Sequence, residues 1–395
     1  MESVSVMHEV KDKEQKKALN SWAKGGYCGS IIAGTGFGKS RCGVLAAAYV
    51  IDNVNKNETK HEPRALVLVP TVQLQEQFKE EFLKWDKVEQ LEHIEIMCYQ
   101  SAYKLVDQHF DIVVCDEIHL GLSPQYRKFF ENNKYDKLLC MTATLPEEEE
   151  YKLKLYELAP VDYQITIDRC VELGLVAPYE IQCIPVSLTD EEQENYKKIN
   201  NKFIYWKYQL GQFDAFNEAK RILADKSASS QQKQAAAQFY ACIRNRKKIV
   251  DFAENKLYGL QKLAIQHVGE KMLVFGGANE FTNKLAESVD MFSTVYHSGK
   301  TKKQRAAALE DFKSGDKTIL CSTKALNQGF DVPDASIGVV CGLTSKSLSM
   351  IQRVGRLIRF QEDKIGKIYI LYVKDSQEEK WLTNSVKNLK NVKWL

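Results

Sequence analysis

Short apolar runs alternate along this chain with longer stretches in which apolar residues recur at helical spacing. Val67-Leu68-Val69, Ile112-Val113-Val114-Cys115 and Leu138-Leu139-Cys140-Met141 read as strands. A parallel strand covered by helices on both sides has no polar face, so it appears as a continuous apolar run. Each of these runs is followed by polar, helix-compatible sequence. The same rhythm returns at Met272-Leu273-Val274-Phe275, Thr318-Ile319-Leu320-Cys321, Ile337-Gly338-Val339-Val340 and Ile368-Tyr369-Ile370-Leu371. Two blocks of β–α alternation predict an α/β chain with two lobes, each a mostly parallel sheet with helices on both faces.

Between the blocks, from Thr189 to about Ala264, strand signals stop. Thr189 followed by Glu192 predicts a capping box. Lys, Gln, Ala and aromatic residues then follow at helical spacing. A helical insertion at about 189–264 is expected, with a turn in the Ser- and Gln-rich stretch 226–234. The expected division is 1–165 for the first lobe and 166–395 for the second, which contains the insertion. Tyr205, Trp206 and Tyr208 are expected on the insertion's core face, with base stacking as the alternative.

With 395 residues, 44% of them hydrophobic, the chain can build more than one core. Its formal net charge is only +3. Bulk charge therefore announces no polyanionic partner, and any basic surface must be local. The ten cysteines contain no Cys-x-x-Cys, which leaves zinc and thioredoxin chemistry without a signature. They read as buried thiols in a reducing cytoplasm, that of a host if the chain is viral. Met1 to Gln15 is polar and unlike a signal peptide. No apolar stretch is long enough for a membrane span. Oligomeric state leaves no trace in the sequence.

The strongest chemical signal is Ala33-Gly34-Thr35-Gly36-Phe37-Gly38-Lys39-Ser40. It follows Ile31-Ile32 and opens an apolar-patterned segment from Cys42 to Ile51. A strand, a glycine-rich turn and a helix N-terminus suit a triphosphate, because backbone N–H groups and the helix dipole face its charge. Lys39 is expected on the β- and γ-phosphates of ATP and Ser40 on Mg²⁺. Ala33 departs from the pattern at its first glycine. The second signal is Asp116-Glu117-Ile118-His119, directly after a strand. Carboxylates at the carboxyl end of a parallel strand lie where ligands bind. Asp116 is expected to hold Mg²⁺, and Glu117 to orient and deprotonate the attacking water. Arg356 and Arg359, three apart, share one face of a helix and suit an anion.

These residues, taken in series, resemble the superfamily-two helicases. Asp116 to His119 is similar to their DExH box. Pro70-Thr71-Val72-Gln73-Leu74 resembles the motif that grips the nucleic-acid backbone, and Tyr99-Gln100-Ser101 a further strand-contact motif. Thr142-Ala143-Thr144 resembles the motif coupling ATP state to the track. Ser322-Thr323 with Gly329-Phe330-Asp331-Val332-Pro333 resembles the second-lobe motif that touches backbone and ribose. His297-Ser298-Gly299 resembles a second-lobe segment facing the track, with a satisfied structural histidine as the alternative. Gln352 to Arg359 resembles the final motif, with Gln352, Arg356 and Arg359 in catalytic places. Gln15 stands where the family reads adenine, although Glu14 precedes it where relatives often carry an aromatic residue; an exposed glutamine is the alternative.

The resemblance implies two RecA-like lobes, with ATP and Mg²⁺ bound between them and nucleic acid running across both. Glu172 to Tyr179 and Arg244 to Lys248 are similar to the branch containing restriction-enzyme motors, transcription-repair helicases and phage branched-DNA helicases. That favours DNA, single-stranded or branched, over RNA. The alternatives are an RNA helicase, and an ATP-gated clamp that binds nucleic acid without separating strands.

Overall fold

A computed structural model describes residues 2–34 (side chains from Glu9), 36–56, 61–146, 148–211, 214–323, 335–344, 365–387 and 389–395. The chain divides into two compact units, the first running to Pro178 and the second beginning at Tyr179. Among the described residues no helix is long and apolar enough to cross a membrane. The ten cysteines are free, and all but Cys28 are buried.

The first unit is built on six strands: β1 (Cys28–Ala33), β2 (Ala65–Val69), β3 (Ile94–Cys98), β4 (His109–Asp116), β5 (Lys134–Thr142) and β6 (Val161–Ile165). Their order is β3-β2-β4-β5-β1-β6, and every pairing is parallel. Alternate residues feed the two faces, as a pleated strand requires. Ile31, Val67, Val69, Ile112, Val114, Leu139 and Met141 pack with the helix Lys39–Lys56 on one side. Ile32, Leu66, Leu68, Val113, Cys115, Leu138 and Cys140 pack on the other. Cys170 and Leu175 join the first of these cores.

The second unit carries β7 (Tyr179–Val186), β8 (Met272–Phe275), β9 (Ser293–Tyr296), β10 (Ile319–Ser322), β11 (Ile337–Val340), β12 (Gly366–Val373) and β13 (Val392–Trp394). The order is β13-β7-β12-β11-β8-β10-β9, again parallel at every pairing. Between β7 and β8 lie the helices Asp190–Gln209, Ala215–Ala224, Ser230–Asp251 and Asn255–Gln266. Thr189 and Glu192 form the expected capping box. The first three helices enclose a small core of Ala215, Ala219, Ile222, Ala236 and Phe239, with Phe203 and Trp206 packed against it.

The aromatic cluster divides. Trp206 packs inward as expected, but Tyr205 is 55% exposed and Tyr208 71%. Phe203, Trp206 and Leu210 fall at i, i+3 and i+7 on the inner face of their helix. Tyr205 and Tyr208 therefore share another face, which points to solvent.

Candidate ATP-hydrolysis and nucleic-acid site

β1 ends at Ala33, the helix Lys39–Lys56 begins six residues later, and the turn between them is the predicted phosphate cradle. Gly36 and Gly38 have φ of 83° and 86°, a left-handed conformation that a side chain would strain. At Gly38 a Cβ would also collide with the Gln15 amide. The helix has no acidic residue in its first turn, so the partial positive charge of its N-terminus is not offset there. Lys39 is 9% exposed and its Nζ donates to the Ala33 carbonyl at 2.9 Å. The departure from the glycine pattern is thus harmless, since Ala33 is used through its backbone. Phe37 is fully buried against Tyr163 and presents only its main chain to the turn.

Gln15 is 1% exposed, not a surface residue. Its Nε2 donates to the Phe37 carbonyl at 2.6 Å, and its Oε1 accepts from Arg41 Nη1 at 2.7 Å. Arg41 also pairs with Asp12, holding that carboxyl below its usual range, and its guanidinium lies 4.1 Å from the centre of the Trp85 ring. Glu14, in the place of the family's aromatic, accepts from the Tyr163 hydroxyl. A recess lined by Lys11, Gln15, Gly38, Ser40, Arg41 and Trp85 opens beside the turn. The sequence reading missed Arg41 and Trp85; the signal available was a cation directly after Ser40.

β4 delivers Asp116 and Glu117, 9% and 5% exposed. Glu117 has φ of 49°, a left-handed conformation that costs a non-glycine residue ~1–3 kcal/mol and persists where its surroundings impose it. Its N–H donates to Asp116 Oδ1 at 3.1 Å, and the Asp116 carbonyl accepts from the Tyr99 hydroxyl at 2.9 Å. The β4–β5 register sets Asp116 against Met141, which brings Thr142 beside Glu117. Thr142 is 1% exposed, and its Oγ1 lies 3.2 Å from both Glu117 Oε2 and the Thr144 carbonyl. His119 Nδ1 completes the group, 3.4 Å from Glu117 Oε2 and 3.3 Å from Thr142 Oγ1. The carboxylate beside Thr142 is that of Glu117. Ser40, in the first turn of the helix Lys39–Lys56, and Asp116, at the carboxyl end of β4, offer hard oxygen donors, a set that suits Mg²⁺ retaining most of its water.

β2 and β3 are neighbours, and their ends bring Pro70-Thr71 and Tyr99-Gln100-Ser101 together. Gln100 Nε2 donates to the Pro70 carbonyl at 3.2 Å, leaving Gln100 and Ser101 exposed. Thr71 caps the helix Val72–Lys84, accepting from the Leu74 N–H. In the second unit Thr323 Oγ1 bonds Asn279 Oδ1 at 2.6 Å and Thr282 Oγ1 at 3.1 Å. His297 lies close by but is 6% exposed, with Nδ1 accepting from Gly299 N–H and Nε2 against Asn283 Oδ1. Burial pushes its pKa down. Both ring nitrogens are committed inside the unit, the arrangement of a satisfied structural histidine. Asn279 is a polar residue the sequence reading missed; it follows the glycine pair after β8.

Thr35, Asp331, Gln352, Arg356 and Arg359 lie outside the described residues. Charge is concentrated in the insertion. Between Asn195 and Val250 the only acids are Asp214, Glu218 and Asp225, against twelve lysines and arginines.

Residues 10–147 match the family described as type III restriction enzyme, res subunit, and residues 255–361 the helicase conserved C-terminal domain. A DNA 3'-5' translocase XPB2 of Sulfurisphaera tokodaii is 26% identical over 90% of this chain and 81% of its own length. An ATP-dependent rRNA helicase RRP3 of Saccharomyces cerevisiae is 25% identical, over 83% of this chain and 58% of its own length. The Pyrococcus furiosus Hef helicase domain superposes with a TM-score of 0.55 at 14% identity, covering 94% of this chain and 97% of that one. That likeness is one of fold.

Proposed function

We propose that the chain is a superfamily-two helicase, related to restriction-enzyme motors and transcription-repair helicases, and that its track is DNA, single-stranded or branched. It is an ATP-hydrolysing enzyme. The observation that carries the reading is the convergence of Lys39, Asp116, Glu117 and Thr142 at the carboxyl ends of β1, β4 and β5.

In this reading the N–H groups of Gly34 to Gly38 and the Lys39 ammonium hold the β- and γ-phosphates. Ser40 and Asp116 hold Mg²⁺, which when bound neutralises charge developing on the transferred phosphoryl group. Glu117 accepts the proton of the attacking water. Arg356 and Arg359 supply positive charge to the phosphates, Gln352 acts with them, and Asp331 takes the ribose. Pro70, Thr71, Gln100, Ser101 and Thr323 take the nucleic-acid backbone. Thr142 and Thr144 report the state of the nucleotide site to that track. Gln15 acts by bracing the cradle, and its place beside the recess supports a part in base recognition.

DNA is supported by the XPB2 relative, a DNA 3'-5' translocase. A basic insertion bearing exposed Tyr205 and Tyr208 supports a nucleic-acid partner of either kind. RNA is the second reading, favoured by the RRP3 relative. ATPase rates with single-stranded DNA, duplex DNA, forked DNA and RNA, measured side by side, test the choice. DNA should stimulate most; stimulation by RNA alone would overturn it.

A further inference from the structure

Tyr99 sits directly before Gln100 and Ser101, yet it faces the opposite way. Those two residues are exposed, whereas Tyr99 is 1% exposed. Its hydroxyl donates to the Asp116 carbonyl at 2.9 Å. That carbonyl and the Glu117 N–H belong to one peptide group. The N–H side is held by Asp116 Oδ1 and the carbonyl side by Tyr99. The orientation of this peptide sets the φ of 49° at Glu117. Release of either side gives a strained carboxylate-bearing residue a way to relax.

The surroundings fit such a part. The Tyr99 ring lies beside Tyr126, with 6.1 Å between centroids. Gly121, four residues past Glu117, leaves room for it: a Cβ there would stand 2.8 Å from Tyr99 Cε1. Burial raises the phenol far above its usual range, so the hydroxyl stays a donor at any working pH. On its other side, Gln100 is bonded to the Pro70 carbonyl, which joins both strand-contact motifs to the same turn.

We propose that Tyr99 is a positioning residue that links strand contact at Gln100 and Ser101 to the aim of the Glu117 carboxylate. This rests on the reading of Glu117 as the group that activates water. A nucleic-acid strand seated on the turn would firm the Tyr99 hydroxyl against Asp116, and the Glu117 peptide with it.

The test uses Tyr99→Phe, which keeps the ring and removes the hydroxyl, in the full chain. Steady-state ATPase is measured with whichever of single-stranded DNA or RNA stimulates the wild type. Polymer-stimulated kcat should fall about tenfold, or ~1.4 kcal/mol of barrier. KM for ATP and the polymer concentration giving half-stimulation should stay within twofold. Gly121→Ala, which crowds the ring from the other side, should lower the same kcat. Thermal melting on each preparation separates these effects from misfolding. Stimulated kcat within twofold of wild type in Tyr99→Phe, or a KM that rises in step with any loss, would overturn the proposal. Glu117→Gln runs alongside. If it hydrolyses ATP normally, the reading of Glu117 itself fails; if it is inactive while Tyr99→Phe is normal, only the positioning role fails.

Discussion

Thr142 Oγ1 lies 3.2 Å from Glu117 Oε2 and equally far from the Thr144 carbonyl. One hydroxyl proton cannot serve both acceptors at once, so the contact is a two-way choice. Donation to Glu117 steadies its carboxylate, whereas donation to Thr144 ties the loop after β5 to the strand end. On the proposed reading, a charge change at the phosphates reaches Glu117 and shifts the choice. In that way the loop can follow the state of the nucleotide.

The double change Thr142→Ala with Thr144→Ala should therefore keep nucleotide binding and measurable ATPase, with turnover lowered about tenfold, the lower end for one lost hydrogen bond to a charged group. Strand separation should be lost. ATPase and forked-duplex unwinding on one preparation decide it: retained unwinding refutes the coupling role, and equal loss of both points to a direct catalytic part.

Lys39→Ala should abolish hydrolysis without unfolding the chain. In the proposed reading the ammonium is the cation aimed at the phosphates, while its contact with the Ala33 carbonyl is local to the turn. Turnover near the wild-type rate would remove the turn from phosphate binding. A large drop in melting temperature would show a structural role instead.

Arg356→Ala and Arg359→Ala should each depress turnover far more than ATP affinity. Arginine fingers are worth ~10³ or more in rate in related phosphoryl transfer. Normal hydrolysis by both variants would show that the second lobe does not complete the site.

A stability prediction follows from the second unit. Lys256 and Glu378, 0% and 1% exposed, form an ion pair at 2.8 Å. Lys256 also donates to the Cys341 carbonyl, and Glu378 accepts from the Leu343 and Val373 N–H groups, so the pair joins the ends of β11 and β12. Lys256→Met leaves a carboxylate buried without its cation and should cost about 3–5 kcal/mol. Chemical denaturation measures it. Adding Glu378→Leu should recover part of the loss, and a single variant as stable as wild type would contradict the account.

What was legible in the sequence follows from burial. β2, β4, β5, β8, β10, β11 and β12 announce themselves because burial on both faces makes a continuous apolar run. Edge strands do not: β3, β6, β9 and β13 carry Glu95, Asp162, Thr294 and Lys393. β7 alternates, with Glu180, Gln182 and Pro185 breaking its run. The site divides in the same manner. Contiguous residues such as Gly34 to Ser40 and Asp116-Glu117 are readable because their chemistry is local. The bonds from Tyr99 to Asp116 and from Gln15 to Phe37 join residues 17 and 22 apart, through a register that only the folded sheet sets. Tyr205 and Tyr208 misled for a related reason: aromatic character predicts burial, but helical phase decides which face carries it.

Glu117→Gln offers the most direct test of the central claim that ATP hydrolysis drives strand separation. The amide keeps the shape of the side chain and loses its capacity to take a proton. With ATP and a forked DNA duplex, the wild type should separate the strands over many turnovers. Glu117→Gln should bind ATP and the fork, stay bound, and release no free strand. Strand separation by Glu117→Gln at the wild-type rate, with ATP cleaved as usual, would contradict the account.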